Sequence, residues 1–122
     1  MEKNYRRERI LWVVEDPLKR KVILTKEAYS HVKKRHPTEV IFIFSVKEGI
    51  KNPLSIWQDI EKSSEVWYYF IEIEEEKRKL MNLENCYIMV VAKKKENIIS
   101  IATWYKVDEM SKKGAEEIWP IK

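Results

Sequence analysis

The sequence predicts an α+β domain in which an N-terminal hairpin and two helices pack on a four-stranded antiparallel twisted sheet. Three observations lead to this fold class. Two short apolar runs near the start are separated by a turn, two segments with helical character follow, and strand-like runs with short links fill the second half. Sequential strands with short links favour an antiparallel meander. The 122 residues suffice for a single domain, 1–122, in which residues 1–9 are expected to be a mobile N-terminal extension.

The N-terminal hairpin is predicted from residues 10–14 and 21–24, two runs rich in β-branched residues. Pro17 lies between them, at the second position of a turn that begins at Asp16. Proline fixes φ at that position, so a tight reversal is favoured.

The first helix is predicted over residues 26–35. Thr25 is a good N-cap, and Pro37 disfavours helical continuation beyond His36. The residues with helical spacing that are expected to form its buried stripe are Ala28, Tyr29 and Val32.

The second helix is predicted over residues 40–51, because Gly49 and Pro53 are typical of a helix end. Its first part is so densely apolar that periodicity alone leaves a strand over 40–44 open.

The second half of the chain is predicted to be mostly β. The four predicted strands are 54–60, 66–73, 86–92 and 98–105. Residues 75–84 are expected to be a charged loop, and Trp119 in the tail is expected to pack back onto the body.

Bulk properties narrow the functional classes. The single cysteine, Cys86, permits no disulfide within the chain, and no apolar run is long enough to cross a membrane, so a soluble cytoplasmic protein is expected. The net charge of +4 is only mildly basic, but between Lys19 and His36 there are seven cations and one anion. The charge is therefore concentrated around the histidines, which favours an anionic partner.

Both histidines of the chain, His31 and His36, fall within this basic segment. Histidine can give and take protons at cell pH, so the pair beside Arg35 is typical of a metal-independent acid–base site that acts on a polyanion. Arg35 can brace a phosphate with its fork of donors, and Lys33 and Lys34 would act as point charges. Each residue also has a structural alternative: His31 and the lysines as a solvated helix face, and His36 as a helix cap.

The last predicted strand ends in groups that could hold a phosphate and stack a base: Thr103, Trp104, Tyr105 and Lys106. Aromatic residues are also ordinary strand and core residues. Strand parity places Thr103 on the same face as Ile99 and Ile101 unless the strand bulges near its end. No metal ligand set and no cofactor motif is found, so no cofactor is expected.

Taken in order, several short motifs resemble a known group. They are the run from Asp16 to Thr25, the helix that ends in Arg35-His36-Pro37, the Asn52-Pro53 break, the aromatic strand at Trp67-Tyr68-Tyr69, and the ending Thr103-Trp104-Tyr105. This pattern, over residues 16–120, resembles the phage-associated nucleases of the barnase–EndoU–colicin–RelE-like superfamily.

The resemblance implies two helices followed by a four-stranded antiparallel sheet, and metal-independent RNA cleavage, often in toxins or in phage–host conflict. It implies that His31 is the helix histidine of the site, that Arg35 and His36 form the following pair, and that Thr103 supplies the hydroxyl. Trp104 stands where the pattern has alanine.

Three functions follow as hypotheses. The first is an endoribonuclease whose partners are RNA and a cognate inhibitor or antitoxin protein. The second is a non-catalytic module that binds RNA or protein. The third is an interaction partner in a toxin–antitoxin or phage assembly, which would use an apolar sheet face. The sequence leaves the oligomeric state open.

Overall fold

The computed structural model describes residues 9–120, which form a mixed sheet of seven strands with three α-helices. The strands are β1 (Ile10–Glu15), β2 (Lys21–Thr25), β3 (Ser55–Asp59), β4 (Val66–Ile71), β5 (Tyr87–Lys95), β6 (Ile98–Val107) and β7 (Ala115–Trp119). The helices are α1 (Lys26–Arg35), α2 (Ile43–Lys51) and α3 (Glu75–Met81), with a 3₁₀ turn at Val40–Phe42. The expected N-terminal extension lies outside the described residues, apart from Arg9.

The prediction of a four-stranded antiparallel sheet is wrong. The strand order is β1-β2-β6-β5-β4-β3-β7, so the N-terminal hairpin belongs to the same sheet as the meander. β2 joins β6 in parallel through the pairs Val22–Ile99 and Ile23–Ser100, and β7 adds an antiparallel strand beside β3. Both additions are pairings between segments far apart in the sequence, which patterns of local periodicity do not report.

The prediction of a charged loop over 75–84 is also wrong, because α3 occupies most of it. Glu75 and Glu76 lie in its first turn and Arg78 and Lys79 near its end, an arrangement that complements the helix dipole. Asn82 ends the helix in the left-handed conformation, at a φ of 54°. No residue of α3 is fully buried, so the helix has no apolar stripe by which its sequence could reveal it.

The two N-terminal helical predictions are confirmed. The Thr25 hydroxyl accepts a hydrogen bond from the Ala28 N–H at 3.1 Å and caps α1, which covers residues 26–35. The second stretch is the 3₁₀ turn that runs into α2, so the strand alternative over 40–44 is wrong.

The sheet has two differently covered faces. The helix face carries the main core, formed with α1 and α2, and its largest fully buried side chains include Tyr69, Ile88, Ile101 and Trp104. The opposite face carries a smaller cluster of Tyr68, Phe70 and Met89. Residues 108–114, here called the strap, connect β6 to β7 across this second face, with Lys112 Nζ 5.4 Å from the Tyr68 ring centroid. The second face is therefore called the strap face.

A buried polar network fixes the β1–β2 turn to the centre of the sheet. The Asp16 side chain accepts hydrogen bonds from the N–H groups of Leu18 and Arg20, from Arg20 Nε at 2.9 Å and from the Tyr69 hydroxyl at 2.7 Å. Burial raises the pKa of Tyr69 far above its ordinary value, which keeps this hydroxyl protonated and able to donate. Asp16 thus ties the turn to β4, although it is a charged residue that is almost fully buried.

Gly49 gives a test of the packing between α2 and β4. A methyl group on Gly49 would collide with the Ile71 side chain. Glycine to alanine inside a helix ordinarily stabilises by about 1 kcal/mol. Here we expect Gly49→Ala to lower the free energy of unfolding by about 1–3 kcal/mol, because the extra carbon overpacks the interface. Urea unfolding measures the change.

The control is a double-mutant cycle with Ile71→Ala, which removes the colliding group. In that background Gly49→Ala should be neutral or stabilising. An equal loss in both backgrounds would show that the collision with Ile71 is not the cause.

Candidate functional site

The last turn of α1 is a cationic surface. Lys33, Lys34 and Arg35 are exposed there, and His31 is exposed one turn earlier. Cations at a helix C-terminus are favoured by the helix dipole, which contributes to the stability of this surface. Lys33 Nζ also lies 5.4 Å from the Tyr29 ring centroid.

His36 lies where α1 meets the sheet. Its backbone N–H donates to the Val32 carbonyl at 2.7 Å and closes the helix. Its ring stacks on Tyr105 of β6, with ring centroids 5.2 Å apart and an interplanar angle of 26°. The backbone of His36 therefore caps the helix while its half-buried ring is held against the sheet.

A β-bulge in β6 determines which of its side chains lie on the helix face of the sheet and which lie on the strap face. Val91 of β5 pairs with Thr103 and the next residue, Ala92, pairs with Ile101, which leaves Ala102 as the extra residue. The simple parity that groups Thr103 with Ile101 is therefore wrong. After the bulge Trp104 shares the helix face with Ile101, and Tyr105 packs on the strap face.

Trp104 is fully buried, and its indole N–H donates to the Glu39 carbonyl at 2.8 Å. This hydrogen bond fixes the turn between α1 and the 3₁₀ segment, and the Trp104 ring is closed to solvent. The Thr103 hydroxyl is also buried, with no hydrogen-bond partner among residues 9–120. Lys106 is exposed but borders another groove, formed with Asp108 and the segment after α3.

The structure thus brings together part of the predicted site. His36 and Tyr105 are in contact, and Arg35 precedes His36 directly. His31 is five positions earlier, a rotation of about 140° around the helix axis, so the two imidazoles project in different directions. Trp104 is in the interior, and the hydroxyl of the half-buried Thr103 is closed to solvent.

The sequence reasoning did not single out a second cationic region, which is at the opposite end of β6. Lys19, Arg20 and Lys21 of the β1–β2 turn face Lys94 of β5 across a cleft of about 490 Å³. The sequence signal was present as two dense cationic runs, at 19–21 and 93–95. Nothing local to either run indicated that the fold would bring them together.

Over residues 9–120, no group of three or more His, Cys, Asp or Glu side chains is arranged to hold a metal ion. None of the helices in that range is long and apolar enough to span a membrane.

Comparisons of the chain with protein-family models, with curated proteins and with solved structures found no match. The resemblance to phage-associated nucleases therefore depends on the sequence motifs alone.

Trp104 gives a test of how the fold supports His36. We expect Trp104→Phe to lower the free energy of unfolding by about 1–3 kcal/mol, because the Glu39 carbonyl loses its buried donor. The variant should also loosen the turn that follows His36, measured as faster amide hydrogen exchange at residues 36–42. Trp57→Phe is the matched control, since Trp57 Nε1 donates only to Ser55 nearby. Equal exchange at 36–42 in both variants would contradict this role.

Proposed function

We propose that the protein is a metal-independent endoribonuclease that acts at the end of α1. The observation that supports it most is the His36 imidazole, held on Tyr105 and adjoining the exposed cations of the helix end. A proton-transfer group with a fixed position, together with cations on the same surface, is what cleavage of a phosphodiester requires.

In the proposed reaction His36 takes the proton from a ribose 2′-hydroxyl, and the 2′-oxygen attacks the adjacent phosphorus. The bond to the 5′-oxygen breaks, and that oxygen takes a proton from a second acid, for which we propose a lysine of α1. Arg35 offsets the charge that develops on the phosphoryl oxygens. The products are a 2′,3′-cyclic phosphate and a 5′-hydroxyl, so no water is consumed in this step.

The resemblance to phage-associated nucleases supports the same proposal and extends it to a toxin-like role in the cytoplasm, with an inhibitor protein as partner. The proposal uses His36, Arg35 and Tyr105 as the central residues. Lys33 and Lys34 supply charge to neighbouring phosphates. Trp104 supports the site through Glu39 and makes no contact with substrate.

The decisive experiment is RNA cleavage by purified protein in EDTA. We expect a mixed-sequence RNA to yield 2′,3′-cyclic phosphate ends, and His36→Ala to reduce the rate about 10²–10⁴-fold, the usual contribution of a general acid or base. We expect His31→Ala, tested in parallel, to cleave at close to the wild-type rate, because His31 projects away from His36.

The double variant Lys51→Gln/Lys79→Gln is the control, because it removes two exposed lysines from elsewhere on the surface. It should cleave at the wild-type rate. Wild-type protein that cleaves no RNA, or His36→Ala protein that cleaves as fast, would refute the proposal.

A non-catalytic RNA-binding module is the second candidate, and one observation favours it. The Thr103 hydroxyl, which the resemblance assigns to the site, is buried, and so is Trp104, while the cationic helix end stays exposed. A surface of this kind can hold a polyanion without proton chemistry.

RNA binding itself can be measured by its salt dependence. We expect Lys33→Gln/Lys34→Gln to weaken binding and to reduce the slope of log K against log salt by about 1–2. Each phosphate contact releases counterions when it forms, so a protein that makes fewer contacts releases fewer of them. The Lys51→Gln/Lys79→Gln protein has the same net charge and should keep the wild-type slope. Identical slopes for the two double variants would place the RNA elsewhere. Wild-type binding without cleavage would select the second candidate.

A further inference from the structure

The cationic cleft at the start of β6 lies far from the end of α1. Ile98 and Tyr105 are seven positions apart on β6, a separation of about 20 Å along the strand. The cleft is lined by residues of the β1–β2 turn, the β5–β6 turn and the strands between them. The polar and aromatic residues that line it are Lys19, Arg20, Lys21, Trp67, Lys94 and Asn97.

Arg20 is the most firmly held of the four cations. Its Nε donates to Asp16 at 2.9 Å, its Nη2 donates to the Tyr69 hydroxyl at 3.2 Å, and its guanidinium lies 4.8 Å from the Trp67 ring centroid. These contacts use two of the five N–H donors of the side chain. The remaining donors are held in a fixed plane, with the side chain 25% exposed.

Lys19 is placed at the cleft by an unusual turn. Its φ is 67°, in the left-handed region that favours glycine, although it carries a long side chain. The Lys19 N–H donates to the Asp16 carbonyl, and the Asp16 carboxylate fixes the residues on either side. The buried carboxylate thus stabilises a turn that sets two adjacent cations, Lys19 and Arg20, at the cleft.

The four cations that line the cleft outnumber the acids that ion pairs place beside them. Asp16 is almost fully buried beneath Arg20 and offsets that one charge. Lys94 has Glu65 at 3.9 Å, a long exposed pair of little strength. Lys21 lies opposite Glu15 in the register of the hairpin. Lys19 and Lys94 therefore leave the cleft attractive to an anion.

The other walls suit an organic group rather than a bare ion. Asn97 offers an amide that can both donate and accept, and Ile98 and Ile99 add apolar surface. A volume of about 490 Å³ is within the range of small-molecule sites. Phosphate recognition beside a partly exposed guanidinium and an amide matches a phosphorylated nucleoside.

We propose that this cleft binds a nucleoside 5′-phosphate, as a free nucleotide or as the end of an RNA strand. Lys19, Lys94 and the free donors of Arg20 hold the phosphate. The Asn97 amide and the apolar wall contact the nucleoside. This function is independent of cleavage at His36.

Calorimetric titration with AMP, adenosine and inorganic phosphate tests the proposal. The pocket variant is Lys19→Gly/Lys94→Gln, in which glycine takes a φ that it adopts freely. Arg20 is kept, since its removal would leave the buried Asp16 without its partner. We expect wild-type protein to bind AMP more tightly than adenosine, and the pocket variant to lose at least tenfold in affinity for AMP. The Lys51→Gln/Lys79→Gln protein, with the same net charge, should bind AMP as wild type does.

The source of the phosphate is distinguished with a 2′-O-methyl hexanucleotide, which cannot be cleaved by 2′-oxygen attack, with and without a 5′-phosphate. AMP binding that depends on the pocket lysines supports a free nucleotide. A preference for the 5′-phosphorylated hexanucleotide that the pocket variant loses supports the RNA end.

The proposal is wrong if wild-type protein binds neither AMP nor the 5′-phosphorylated hexanucleotide, or if adenosine binds as tightly as AMP. It is also wrong if the pocket variant and the Lys51→Gln/Lys79→Gln protein bind AMP equally well. His36→Ala should leave AMP binding intact, so the result is separable from the outcome of the cleavage assay.

Discussion

Two residue pairs between β2 and β6 hold this architecture together. Val22–Ile99 and Ile23–Ser100 join the N-terminal hairpin to the meander, and through them β1 and β2 share one core with the second half of the chain. Because β2 passes directly into α1 at Thr25, the same pairing fixes where that helix starts over the sheet. β6 is ten residues long but pairs with β2 only near its beginning, so His36 can reach the edge of Tyr105 farther along.

The sequence predicted elements that depend on interactions between neighbouring residues, and it did not predict strand pairings between distant segments. Thr25, Pro37 and the helical spacing between them predicted α1, since capping and backbone restriction act over a few residues. The pairing of β2 with β6 joins segments more than 70 positions apart, and it left no periodic mark. α3 was missed for another reason: it is held by its charged ends and by Arg78, which donates to the carbonyls of Ile73 and Cys86, rather than by an apolar stripe.

The same division applies to the candidate site. His36 and Arg35 were found because they are adjacent in the sequence, and Tyr105 because the last strand is rich in polar and aromatic groups. The roles of Thr103 and Trp104 depended on strand parity, which a single extra residue reverses. That bulge turns Trp104 into the core, where it binds the Glu39 carbonyl. A residue that was predicted to contact the substrate thus supports the turn that follows His36.

The two cationic ends of the molecule differ in physical character, and this difference bears on what each can recognise. Lys33 and Lys34 are exposed side chains on a helix surface, so their attraction for an anion is long-ranged, sensitive to salt and weakly selective. Arg20 is fixed by Asp16, Tyr69 and Trp67 before any ligand arrives. A guanidinium that is already oriented loses little conformational entropy on binding and presents its donors in one plane. The helix end therefore suits capture of a polyanion, and the cleft suits selection of one phosphorylated group by shape.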